Sequence, residues 1–333
     1  MRSVLSFRPI AVTLSVLALA LPACGDDDGA GASDRPQVVV TTSILGDIVR
    51  HVVGDAGDVE VIMPLGADPH EFAPSTRQAE AMAEADLLVV NGAGFEQGLH
   101  GVIEAAREAG APTFTFAEHV TLHAVDEHAD EEHAEEEHAE EEHADGEAAD
   151  GHEHEGGEDP HLWMDPALVA GAVPALGEAL AGTDGVDGEA VTARASEYAA
   201  TLEALDADIR ALLEPIPEDR RVLVTNHEAF GYFAQRYGFD IIGTVIPSLT
   251  TRAESSAADL EALAAVIQDH DLPAIFAETT QPRQLAEALA DEVGGGVEVV
   301  ELYTESLGEE GSGAETYVGM LRTDAELIAE ALT

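Results

Sequence analysis

Val38-Val39-Val40-Thr41-Thr42-Ser43-Ile44-Leu45-Gly46-Asp47-Ile48-Val49 joins a short apolar run directly to a stretch that is apolar at helical spacing. The run reads as a buried strand ending at Thr41, and residues 43–53 read as the helix that packs back on it. The same alternation continues outward. Val59-Glu60-Val61-Ile62-Met63, Asp86-Leu87-Leu88-Val89-Val90 and Thr113-Phe114-Thr115-Phe116 are predicted strands, with helices expected over 75–84 and 95–108 and Ser75 as the N-cap of the first of these. Strands alternating with helices imply a mostly parallel sheet with helices on its faces.

A second set repeats the pattern. Strands are expected at 222–225, 240–245, 274–277 and 297–300, and helices at 228–236, 256–269, 282–292 and 314–331. Between the sets, residues 188–213 carry Leu202, Leu205, Ile209, Leu212 and Leu213 at helical spacing and stop before Pro215 and Pro217. The expected fold is therefore α/β, with two lobes of mostly parallel sheet flanked by helices and joined by one long, rigid helix. The boundaries run 37–183 for the first lobe, 184–216 for the connecting helix and 217–333 for the second. A single helical connector is stiff, so small tilts of the lobes are expected in place of a wide hinge.

Before this body, Met1-Arg2-Ser3-Val4-Leu5-Ser6-Phe7-Arg8 and the apolar run after it read as a secretion signal over 1–23, too short to span a bilayer. Leu21-Pro22-Ala23-Cys24 resembles the lipobox of bacterial lipoproteins, which would place a lipid on Cys24 and anchor the exported protein to the outer face of the cytoplasmic membrane. Residues 24–36, rich in Asp, Gly and Ala, suit a flexible tether. Cys24 is the sole cysteine, so no intramolecular disulfide exists.

The chain has 67 acidic side chains against 14 basic ones, all arginine, for a formal charge of -53. Such a surface repels phosphate, so nucleic acid is not an expected partner, and it concentrates cations. Adaptation to high salt would produce the same composition.

The region 123–158 breaks the alternation. Glu-His-Ala-acidic units recur every five residues from Glu127 to Asp145, without large apolar side chains, and read as a disordered loop. It carries His123, His128, His133, His138, His143, His152 and His154, half of the 14 histidines. On a helix a period of five would set them about 140° apart, so no single face would form. Imidazole beside carboxylate suits zinc, copper or nickel better than magnesium or calcium, and weak, plural metal binding is expected.

Two matching motifs flank the tract: Gly66-Ala67-Asp68-Pro69-His70-Glu71-Phe72 and Asp159-Pro160-His161-Leu162-Trp163-Met164-Asp165-Pro166. In each, Asp-Pro stiffens a turn that delivers a histidine at its exit. A third histidine follows a predicted strand in Thr225-Asn226-His227-Glu228-Ala229-Phe230, at the strand end where open α/β sheets bind ligands.

Together with Thr42-Ser43-Ile44-Leu45-Gly46-Asp47 and Glu301-Leu302-Tyr303-Thr304-Glu305-Ser306-Leu307, these segments resemble the zinc- and manganese-binding solute-binding lipoproteins of bacterial ABC importers, nearest the zinc branch. The resemblance runs in order through the whole mature chain. It implies one metal held in the cleft between the lobes by His70, His161, His227 and the acidic position Glu305, where many relatives have aspartate. Water or Glu278 competes for the fourth place. It also implies a permease and its ATPase as partners, and a monomer is expected. Three neutral imidazoles and a carboxylate suit Zn2+, with Mn2+ the alternative. Asp68, Glu71, Asp165 and Glu228 are candidates to orient the rings. No His-Glu-x-x-His helix and no nucleophile elbow occurs, so a zinc hydrolase is the least supported reading, behind a surface metal buffer or adhesin; the chain is expected not to be an enzyme.

Overall fold

In the first lobe, β1 (Gln37–Val40), β2 (Asp58–Val61), β3 (Leu87–Val90) and β4 (Thr113–Thr115) form a parallel sheet in the order β2-β1-β3-β4. The computed structural model describes residues 35–124, 157–294 and 296–333. The expected signal, the tether up to residue 34 with Cys24, and the tract histidines other than His123 lie outside these residues. In the second lobe, β5 (Val222–Thr225), β6 (Asp240–Thr244), β7 (Ala274–Glu278) and β8 (Glu298–Leu302) repeat the arrangement as β6-β5-β7-β8, again all parallel.

The central strands β1, β3, β5 and β7 look almost continuously apolar because both faces are covered, yet they still alternate. Val38, Val40, Leu87 and Val89 face one core, whereas Val39, Leu88 and Val90 face an outer one against α2 (Thr76–Ala83) and α3 (His100–Ala109). In the second lobe, Leu223 and Phe276 face the first core, while Val224, Ile275 and Ala277 pack beneath α7 (Ala257–Asp269) and α8 (Gln284–Val293). The first core is shared. It runs from α1 (Ser43–Val53) through α4 (Pro166–Ala181) and α5 (Gly188–Leu213) to Phe230, Phe233 and α9 (Tyr317–Leu332). One apolar core therefore continues from lobe to lobe, and wide opening would expose it to water.

The elements that sequence patterning misplaces are informative. Helix α4 was not anticipated: it is apolar on nearly every side and holds Pro174, so no amphipathic period marks it, although Asp165 caps it and Pro166 starts it. Helix α3 begins five residues later than its pattern suggests. The Glu96 side chain turns inward to accept from Thr41 Oγ1 at 2.8 Å and Asn91 N at 2.6 Å, which breaks the helix that Phe95 would have opened. Helix α6 (Gly231–Tyr237) likewise starts three residues late, after a turn in which Ala229 N donates to His227 O.

Candidate metal centre

In each sheet the strand order reverses between the first and third strands in sequence, β1/β3 and β5/β7, and the carboxyl ends at these crevices are where such sheets place ligands. His227 leaves β5 two residues beyond its end, beside Glu278 at the end of β7. Glu305 follows β8 on a loop tied down by Trp163 Nε1 donating to Thr304 O at 2.6 Å and by Tyr303 N donating to Asp324 Oδ1 at 2.9 Å. His70 comes from the loop after β2. Its turn rests on Gly98, where a Cβ would meet the Phe72 carbonyl oxygen at 2.0 Å, so only glycine fits beneath it. His161 ends the segment after the tract, which Asn91 Nδ2 holds by donating to Pro160 O at 2.9 Å.

These four side chains, which the sequence motifs single out, converge. Their candidate donor atoms lie within 4.8 Å of one another, and all four residues are buried, with exposures of 0 or 1%. Glu305 Oε1 is 2.9 Å from His70 Nε2, 3.4 Å from His227 Nε2 and 3.8 Å from His161 Nε2, and the last two nitrogens are 3.2 Å apart. A tetrahedral zinc centre with bonds of about 2.0–2.2 Å has edges of about 3.3 Å, which these spacings bracket.

Two carboxylates stand behind the rings. Asp159 Oδ1 is 2.8 Å from His161 Nδ1, and Glu278 Oε1 is 2.5 Å from His227 Nδ1. In the neutral tautomer each Nδ1–H donates outward, so both Nε2 lone pairs point into the centre, where they face each other and a carboxylate oxygen. Lone pairs so close repel unless a cation lies among them. His70 Nε2 and Glu305 Oε1 carry the same message: they are buried and 2.9 Å apart, without the geometry of a hydrogen bond.

The acid–base balance agrees. Burial alone would push both braced imidazoles down, but the hydrogen bond to Asp159 and the nearby Glu305 carboxylate raise His161, and Glu278 and Glu305 hold His227 well above the ordinary value. Burial would likewise raise Glu305, yet the surrounding imidazoles of His161, His227 and His70 hold it well below the carboxylate range. The pocket favours positive charge at its centre, supplied by protons or by a metal ion.

Glu278, weighed from sequence as a rival fourth donor, instead braces His227 from outside and accepts from Thr304 Oγ1 at 2.9 Å. Asp165 caps α4, and Glu71 is exposed. Asp159 was legible only as a turn former, although its place two residues before His161 lets it reach both the backbone N–H and the ring. Its other oxygen approaches Gly231, where a Cβ would come within 2.6 Å. His123 lies at the neck of the tract. Its ring stacks on Tyr232 at 3.9 Å, its carbonyl accepts from Asp159 N at 2.9 Å, and Ala124 pairs with Glu158. The two ends of the tract are thus pinned together immediately before His161.

Comparison with known proteins places this geometry. The family model described as zinc-uptake complex component A, periplasmic, matches residues 38–331. The chain is 32% identical over 321 residues to the zinc-binding protein TroA of Treponema pallidum, covering 93% of this chain and 92% of that one. It is 29% identical over 327 residues to the manganese-binding lipoprotein MntA of Halalkalibacterium halodurans, covering 96% and 97%. The solved structure of the periplasmic zinc-binding protein TroA from Treponema pallidum matches with a TM-score of 0.76 at 30% identity, over 90% of this chain and 99% of that one. The chain belongs to the family of the periplasmic zinc-uptake complex component A.

Proposed function

We propose that this protein captures Zn2+ outside the cytoplasmic membrane and delivers it to an ABC importer, holding the ion between His70, His161, His227 and Glu305. The observation that carries this reading is the pair of carboxylate-braced imidazoles whose Nε2 atoms converge at 3.2 Å, beside a buried carboxylate. Zn2+ is the ion because three nitrogens and one oxygen form its usual tetrahedral set, and a given nitrogen and oxygen site binds Mn2+ more weakly. Manganese stands as the second reading on one observation, the name of the Halalkalibacterium relative.

In this account the acidic, histidine-bearing tract raises the local metal concentration and the buried centre takes the ion. A permease, with its ATPase, separates the lobes and receives it. A lipid on Cys24 keeps the monomeric protein at the outer face of the cytoplasmic membrane. The zinc is cargo: four protein donors leave no position for an activated water, which weighs against hydrolysis.

Competitive calorimetric titration of the chain from Gly25 onward tests the reading, with His70→Ala and a deletion of residues 124–157 in parallel. The expected result is one tight zinc site that outcompetes manganese, is lost in His70→Ala and is kept without the tract. Weak, multiple binding that vanishes with the tract would leave a surface buffer as the better account.

A further inference from the structure

The three imidazoles are not held alike. Carboxylates brace the rings of His161 and His227 from behind, whereas His70 Nδ1 is buried with no hydrogen-bond partner among the described residues. The His70 ring is positioned by an edge contact with Phe95 at 5.2 Å and by its own backbone turn. That turn depends on Asp68, whose Oδ1 accepts from His70 N at 2.8 Å. The second oxygen of the same carboxylate reaches across to the other lobe. Asp68 Oδ2 accepts from Thr251 Oγ1 and from Gln281 Nε2, both at 2.6 Å. Thr251 follows β6 and Gln281 follows β7, so one carboxylate joins the backbone of a first-lobe ligand to two loops of the second lobe.

We propose that Asp68 is a positioning residue that couples His70 to the closed arrangement of the lobes and thereby sets the rate of metal release. The inference rests on the proposed metal centre. Charge-assisted hydrogen bonds of this length are strong but short-ranged. A tilt that draws Thr251 and Gln281 away breaks two of them together, while His161 and His227 keep their braces. Asp68 is then held only by its own turn, and His70, lacking a brace, is the ligand freed to swing out. Release begins at His70, and the clasp governs dissociation more than capture, as changes within one binding site mostly do.

The test is stopped-flow zinc binding and chelator-driven zinc release on the full chain, comparing wild type with the double variant Thr251→Val, Gln281→Leu and with Asp68→Ala. The double variant removes the clasp and keeps the His70 turn. Its release rate should rise about 10-fold or more, with association within about twofold of wild type. Asp68→Ala should release faster still, and Asp68→Asn, which retains one carbonyl acceptor, should recover part of the loss. Release at the wild-type rate in the double variant overturns the clasp, as does an equal loss in association and dissociation. Failure of the wild-type protein to hold zinc tightly would instead overturn the metal centre itself, so the two outcomes are distinct.

Discussion

Asp68-Pro69-His70 and Asp159-Pro160-His161 are the same tripeptide used twice, and both make the same local hydrogen bond, with the aspartate Oδ1 accepting from the histidine N–H at 2.8 and 2.9 Å. They differ in what lies beyond that bond. Asp159 also braces its own histidine ring at 2.8 Å, while Asp68 sends its free oxygen to Thr251 and Gln281 in the other lobe. One motif builds a rigid ligand and the other a ligand tied to lobe closure. Identical local chemistry thus serves a braced half and a lobe-tied half of the proposed metal centre.

The largest difference should appear on removing the rings. His161→Ala strands the buried Asp159 carboxylate and should destabilise the metal-free protein by about 3 kcal/mol in urea unfolding. His70→Ala breaks no carboxylate brace and should cost clearly less, although both abolish tight zinc binding. Equal losses of stability would erase the distinction between the motifs. Next in size, Asp159→Ala should weaken zinc affinity by roughly 100-fold, as loss of an orienting partner does at metal sites, without changing the number of sites seen by calorimetry.

The pH dependence sharpens the comparison. His227 lies well above 6.5 in the folded protein, so its contribution is fully present below that ordinary value and is lost as pH climbs through the raised one. Glu305 lies well below 4.5, so its contribution is present above that value and is lost as pH falls through the lowered one. The Tm of the metal-free protein should therefore be highest between these limits. Zinc affinity should keep rising through the upper one, because the ion must displace protons from the imidazoles. Asp159 helps to raise His161, so Asp159→Asn should move the pH midpoint of zinc binding downward, while Asp68→Asn should leave it in place. The smallest effects belong to the prolines. Pro69→Ala and Pro160→Ala should each cost less than about 1 kcal/mol, since each proline acts chiefly by restricting the unfolded chain.

Much of this was legible from the chain. The alternation of apolar runs and helical periods foretold both parallel sheets, and the three histidines, which stood out by motif, meet in the structure with Glu305, which the family resemblance implied. Helix α4 escaped because its residues are apolar on nearly every side, even along the exposed face of Gly171 and Pro174, which removes the period on which a helix is recognised. The late start of α3 escaped because the inward turn of Glu96 depends on Thr41, 55 residues away in sequence.

What the sequence determined by itself is local. Asp-Pro-His makes its turn from the residues at hand, Ser75 caps its helix through Gln78, and the side chains carry the chemistry of a borderline metal wherever they are placed. Only the tertiary structure decided which carboxylate braces which ring. Glu278 reaches His227 across 51 residues, and Asp68 reaches Gln281 across 213. Such pairings depend on two strand ends meeting at one crevice, and no spacing along the chain encodes a distance of a few ångströms between lobes.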